Sequence, residues 1–372
     1  VFRSVREIFR FAWVLMLMTA LGIQVPAWAD WQSDWEQAKQ AAAKEAEVVM
    51  YGPHLPYFKS VFELFQKSYP AIKLMFEPGR GGDHFKRVSA ERRAGLYKVD
   101  LVMGGANSLN AFAAGMLDPI SNALILPEVT RESAWWNKKL RLTDQAQEFV
   151  LSFSESAKTG TIAYNTKLVN PTAIQAWRDL LLPKWKGKIA GFDPRVPGGG
   201  DPFGFFFSMP EFGADFITRL IRDSDIVFTR DLHQGFDWVA SGKYELYLGS
   251  ALFALEAKGK GLPVDIVQHS MKDGEAMGIG GVCCVGMVNK APHSNAAKVL
   301  LNWLLSRDGQ MLWQRYSRTN SLRVDIPKDD VHQAFVPKEG VKYFMSTSFQ
   351  YQDPQLTRSL HRLIDDPLAQ QK

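Results

Sequence analysis

From residue 31 onward, short continuous apolar runs alternate with stretches whose apolar residues recur every three or four positions, the signatures of buried strands and amphipathic helices. Val48-Val49-Met50-Tyr51, closed by Gly52-Pro53, predicts the first strand, Ile72 to Phe76 the second, and Val99 to Met103 the third, ended by Gly104-Gly105. Before the first strand the pattern predicts a helix from Asp34 to Glu45, opened by a Ser33-x-x-Glu36 capping box, and between the first and second another from Pro56 to about Tyr69. A flexible loop, Gly79 to Asp83, leads into a helix from His84 to about Ala94, and a fourth helix opens at Asn107 or Ser108. Continuous apolar strands alternating with helices imply a parallel sheet covered on both faces, with ligands beyond the carboxyl ends of its strands.

A second module of the same kind begins near Thr161 to Asn165. It continues through Trp177 to Leu181, a strand around Ile189, and strands at Tyr244 to Leu248 and Val264 to Val267. A long crossing from Asp265 to Val288 then leads to a helix from Asn295 to Leu305, whose Val299, Leu300, Trp303 and Leu304 share one face. The remaining tail is mixed, with Pro327, Pro337 and Pro354 as breaks. Cys283 and Cys284 fall in the apolar run Gly281 to Val288. As strand neighbours they would point to opposite faces, and they are expected to be free core thiols.

Composition narrows the class. The chain has 372 residues, 46% of them hydrophobic, a net charge of +5 and only 2 Cys, which excludes a disordered chain and a disulfide-stapled miniprotein and suits two domains. Arg3, Arg6 and Arg10, the apolar run Phe11 to Gly22, and Ala27-Trp28-Ala29 make residues 1–29 an expected cleaved secretory signal, a retained anchor being the alternative. Charge runs such as Glu91-Arg92-Arg93 read as solvated helix faces, so no nucleic-acid partner is expected.

Six segments in order carry a family resemblance: EAEVVMYGPH, VSAERRAGLYKVDLVMGG, IAYNTKLVNPTAIQAWRDLLLPKWKGKIAGFDP, DWVASGKYELYLG, KGLPV and VGMVNKAPHSNAAKVLLNWLLSRDGQ. With them the chain resembles the extracellular solute-binding proteins of bacterial ABC importers, in the branch commonly labelled Fe(III)-type. The resemblance implies an α/β, two-lobed type II periplasmic-binding-protein-like fold, each lobe a mostly parallel sheet flanked by helices and joined by hinge crossovers. One lobe would comprise residues 30–157 plus about 285–325, the other 158–284 plus about 326–372. It further implies a monomeric periplasmic carrier without cofactor or catalysis, handing a small solute to membrane permease subunits.

Which solute is a separate matter. Ferric-iron members generally use two adjacent tyrosines from the second lobe, often helped by a histidine after the first strand and a carboxylate after a later one; phenolates suit a hard cation. This chain has no Tyr-Tyr pair; it has Gly249-Ser250-Ala251 where the pair would fall, and Gly104-Gly105 where the carboxylate would fall, leaving only His54, which follows Gly52. No metal is therefore expected, and an anionic organic solute is favoured. Gly198-Gly199-Gly200-Asp201-Pro202 would expose backbone N–H groups at a helix start, and Gly105, Asn107 and Ser108 do the same in the other lobe. Arg80, beside Gly81, or Arg195 would supply a guanidinium fork, and His54, Asn107, Tyr247 and Ser250 lateral contacts. Trp135-Trp136 and Phe205-Phe206-Phe207 read as packing. The alternatives are a ferric-iron or iron-chelate receptor, a sensory ligand-presenting module, and an exported hydrolase, for which no Gly-x-Ser-x-Gly, His-Glu-x-x-His or complete phosphate loop is present.

Overall fold

The computed structural model describes residues 31–157, 162–195, 201–249, 251–278, 282–351 and 354–369; the expected secretory signal lies outside them. A 7-stranded sheet takes the order Lys73–Pro78, Glu47–Gly52, Leu101–Gly104, Cys284–Val288, Leu151–Ser152, Arg141–Leu142, with Leu117–Asp118 beside Cys284–Val288. A 5-stranded sheet takes the order Val227–Thr229, Ile189–Phe192, Leu246–Leu248, Ile162–Asn165, Val264–Ile266. In each, the first three strands run parallel and the fourth is antiparallel to its neighbours. The fourth strand is in both cases the one entered from the other lobe, so it starts at the edge where the parallel strands end. Helices cover both sheets, which makes the fold a bilobed type II periplasmic-binding-protein architecture.

Strand alternation sorts the cores. Val48, Met50, Leu101, Met103, Val285 and Met287 face helix Ser294–Leu305, which buries Val299, Leu300 and Leu304 against them. Tyr51, Val102 and Val288 face the opposite way, onto Leu109 and Phe112 of helix Ala106–Ala113. In the second sheet Ile189, Leu246 and Leu248 pack under helices Asp201–Ser208 and Gly213–Arg222, while Ala190, Phe192 and Tyr247 pack toward helix Leu232–Ala240. Each large apolar side chain so buried contributes about 1.5–3 kcal/mol.

Several boundaries differ from expectation. Helix Trp31–Glu45 already includes Ser33, whose hydroxyl accepts from Gln37 at 3.1 Å, so Ser33 and Glu36 do not cap it. Helix Gly81–Arg93 absorbs most of the expected flexible loop. Pro354 opens a helix, Pro354–Ala369, instead of breaking one, because the first helical position needs no N–H donor. Leu360 and Ile364 anchor this helix in the second lobe's core.

The free-thiol expectation is overturned: Cys283 and Cys284 form a disulfide. Cys284 is registered opposite Gly104, yet the Cys283 N–H also donates to the Gly104 carbonyl, at 3.2 Å. Two residues thus face one, as in a β-bulge, and both sulfurs enter the same core.

A third, 3-stranded sheet sits at the lobe crossings, with Glu275–Gly278 between Tyr343–Met345 and Ser156–Ala157. Tyr343 and Met345 pack against the first lobe's core and Phe344 into the second's, so this tail strand touches both. Beside it the buried Glu155 accepts at Oε1 from Arg141 Nε (3.0 Å), Ser152 Oγ (2.8 Å) and Thr347 Oγ1 (2.8 Å).

Nearby, Lys328 Nζ donates to the Ser321 carbonyl at 2.6 Å and Gln314 Oε1 at 3.2 Å. Burial pulls its ammonium down to about 7, against an opposing pull from Asp325. Between that pH and the unfolded lysine's pKa near 10.4, the unfolded chain holds the extra proton, so stability rises with pH by up to about 1.4 kcal/mol per unit. Urea unfolding of Lys328→Met across pH 7–10 is expected to lack that rise; an unchanged slope would assign it to other groups.

Candidate functional site

The crossings show which edges face each other. Cys284 starts its strand opposite Gly104, and Ile162 starts its strand opposite Leu248, so both crossings enter at the carboxyl ends of the parallel blocks. The cleft between the lobes is therefore lined by the segments that follow those strands.

On the first lobe, two helices begin at this edge, Gly81–Arg93 and Ala106–Ala113. Their starts are in contact: a Cβ on Gly81 would overlap the Ser108 Cβ and lie 2.7 Å from its Oγ, and one on Gly104 would lie 2.9 Å from the same oxygen. Ser108 Oγ is turned away, donating to the Gly105 carbonyl at 2.9 Å. Neither N-cap, Arg80 or Gly105, makes a side-chain capping bond; the Asp83 and Ser108 N–H groups donate to the Arg80 and Gly105 carbonyls, which leaves the N–H groups of Gly81, Gly82, Ala106 and Asn107 as the donors at the two helix starts. Behind them the buried His84 places Nε2 3.1 Å from the Gly52 carbonyl and stacks on Tyr51, locking the floor. Arg80 is exposed and makes no ion pair with another described residue; His54 and Asn107 are exposed at the same edge. Gly52 itself is spent on structure, its carbonyl facing His84 and its Cα packed near Phe76.

On the second lobe, Asp193 follows strand Ile189–Phe192 and is 2% exposed. Arg195 grips it with a fork, Nε to Oδ1 at 2.8 Å and Nη2 to Oδ2 at 2.9 Å, and gives Nη1 to Asp365 at 2.9 Å. Arg230, after strand Val227–Thr229, adds Nε to Asp193 Oδ2 at 3.1 Å. Burial would raise the Asp193 carboxyl, but hydrogen bonds from Arg195 and Arg230 outweigh it and bring it down to about 2. Arg195 is thus committed to carboxylates rather than free for a solute, a correction to its expected role.

Tyr247 is a second correction. Leu246 and Leu248 point into one core, so alternation sends Tyr247 into the other, where it is fully buried edge-on to Phe236. A Cβ on Gly235 would overlap its ring and sit 2.8 Å from its hydroxyl, and one on Gly249 would overlap the ring from another side, so a side chain at either position would displace it. Burial, and secondarily Asp231, push its phenol well above the ordinary range. Gly199, Gly200 and Ser250 lie outside the described residues, and Asp201 begins helix Asp201–Ser208.

Asp193 and Arg230 escaped the sequence reading. The signal for Asp193 was its place straight after an apolar strand; Val227–Thr229 is too short a run to flag Arg230. Among the described residues no three His, Cys, Asp or Glu side chains gather as a metal site. A groove of about 680 Å³ runs along helix Trp31–Glu45, from Trp31 to Lys44, beside Ile125, Asn295 and Lys298, and none of the strand-end residues above lines it.

Two lobes whose strand ends and helix starts converge on one cleft define a solute-binding clamshell. The family model of the bacterial extracellular solute-binding proteins matches residues 51–311, and the chain belongs to that family. Among solved structures it is similar to the Trichodesmium protein IdiA (FutA) in complex with iron and citrate, at 19% identity and a TM-score of 0.63, over 86% of this chain and 99% of that one. It is similar to iron-bound HitA from Pseudomonas aeruginosa, at 16% identity and a TM-score of 0.59, over 87% of this chain and 99% of that one. It is also similar to AfuA from Actinobacillus pleuropneumoniae with fructose-6-phosphate bound, at 18% identity and a TM-score of 0.59, over 86% and 97%. These likenesses concern the fold. No curated protein matches the chain.

Proposed function

We propose that this solute-binding protein captures a small anionic organic solute between its lobes and delivers it to the permease of an ABC importer, after export to the periplasm and without catalysing a reaction. The observation that carries the anionic class is the pair of uncapped helix starts, pressed together by Gly81 and Gly104 beside an exposed Arg80 that has no ion-pair partner among the described residues. Oriented amides and a free guanidinium favour carboxylate or phosphate oxygens. The AfuA complex lends support, since a phosphorylated sugar occupies a relative of the same fold.

A ferric-iron receptor is the second reading, favoured by the iron-bound relatives. Against it stand the absent Tyr-Tyr pair, the burial of Tyr247 in a core, and the isolation of His54 on the surface.

A melting-temperature screen separates them, because a solute bound only by the folded state raises Tm by mass action. Carboxylates or sugar phosphates are expected to stabilise the protein, and Arg80→Ala to weaken that binding by about 10-fold or more, as for loss of a charge-assisted bond. Stabilisation by ferric ion alone, with a phenolate charge-transfer band, would establish the iron reading.

A further inference from the structure

We propose that Arg230 is the second lobe's contact for the anion, a residue set at the cleft by Asp193; this rests on the anionic reading of the site. Arg230 follows strand Val227–Thr229 at the carboxyl edge, and its side chain is 71% exposed. Only its Nε is engaged, on the buried Asp193. Its two Nη groups have no hydrogen-bond partner among the described residues, so the outer face of the guanidinium is presented, already oriented, to the cleft.

The neighbouring charges favour this assignment. Asp193 would repel an anion, but Arg195 covers it with a two-point fork and is itself balanced by Asp365. Asp231, next in the chain, is occupied as N-cap of helix Leu232–Ala240, accepting from the His233 and Gln234 amides. Of the two arginines described after the second lobe's parallel strands, Arg230 is therefore the one whose Nη groups are both unengaged. A guanidinium fixed at one nitrogen and free at the others loses little freedom when it binds a planar or tetrahedral oxyanion. Arg80 stands on the first lobe's facing edge, so closure would bring one arginine from each side onto the solute.

Calorimetric titration tests this with inorganic phosphate, citrate, succinate and fructose 6-phosphate as probes, on the full mature chain and on Arg230→Ala, Arg230→Lys, Arg80→Ala and Arg222→Ala. Arg222 is an exposed arginine pairing with Asp223 on helix Gly213–Arg222 and serves as control. Expected for the anion that binds are a loss of about 10-fold or more in Arg230→Ala, an intermediate loss in Arg230→Lys, no change in Arg222→Ala, and a shallower salt dependence in Arg230→Ala. Unaltered affinity in Arg230→Ala alongside weakening in Arg80→Ala would overturn the role of Arg230 and leave the anionic cleft standing. Binding of none of the four probes by the unsubstituted protein would overturn both.

Discussion

Gly81→Ala is expected to cost the protein most of its affinity for solute, by roughly 100-fold, while leaving it folded. The added methyl would overlap the Ser108 Cβ and approach its Oγ to 2.7 Å, inside any tolerated contact. Ser108 cannot yield easily, because its hydroxyl is tied to the Gly105 carbonyl at 2.9 Å and its backbone is part of the first turn of a helix. The two helix starts must therefore separate, and a displacement on the order of 1 Å in groups aimed at one small ligand is enough for a loss of that size. The double substitution Gly81→Ala with Ser108→Gly removes the obstruction, the next Ser108 atom being the Cα at 3.8 Å, and is expected to recover most of the affinity. Equal losses in the single and double variants would show that spacing between the helix starts does not govern binding.

The second large effect concerns the crossing between lobes. Arg141→Met is expected to lower stability by about 3–5 kcal/mol in urea unfolding, the usual consequence of leaving a buried carboxylate without its cation. Glu155 is 1% exposed, and although Ser152 and Thr347 still donate to Oε1, two hydroxyls do not neutralise a charge. Arg141 also holds the tail, with Nη2 on Thr347 Oγ1 at 2.8 Å and on Ser348 Oγ at 3.0 Å. Its loss would thus loosen the strand Tyr343–Met345 that packs on both cores. Arg141→Met with Glu155→Leu is expected to regain much of the stability, since replacing both partners leaves no stranded charge. If the double variant is as unstable as the single one, the damage lies in the lost tail contacts rather than in the carboxylate.

The parallel blocks were legible because buried strands such as Val48 to Tyr51 are apolar without interruption, and because Gly52-Pro53 and Gly104-Gly105 punctuate their ends. Helix Ser294–Leu305 was legible from Val299, Leu300 and Leu304 on one face. What escaped depended on distant partners. The vicinal disulfide follows from a bulge opposite Gly104, a pairing 179 residues away in sequence. Tyr247 and Arg195 were sensible candidates by position, but strand alternation turned the first inward and Asp193 with Asp365 claimed the second. Arg80, Gly81, Gly105, Asn107 and Ser108 meet at one edge because each follows a strand of the same parallel block, which local pattern does convey.

On the proposed function, a small anion is enclosed by movement of one lobe against the other. Small-angle scattering of the protein, with and without the carboxylate or sugar phosphate that raises its Tm, tests this most directly. Closure predicts a smaller radius of gyration on saturation, a contraction absent in Gly81→Ala at the same anion concentration. A saturated protein whose scattering curve superimposes on that of the free protein would contradict it.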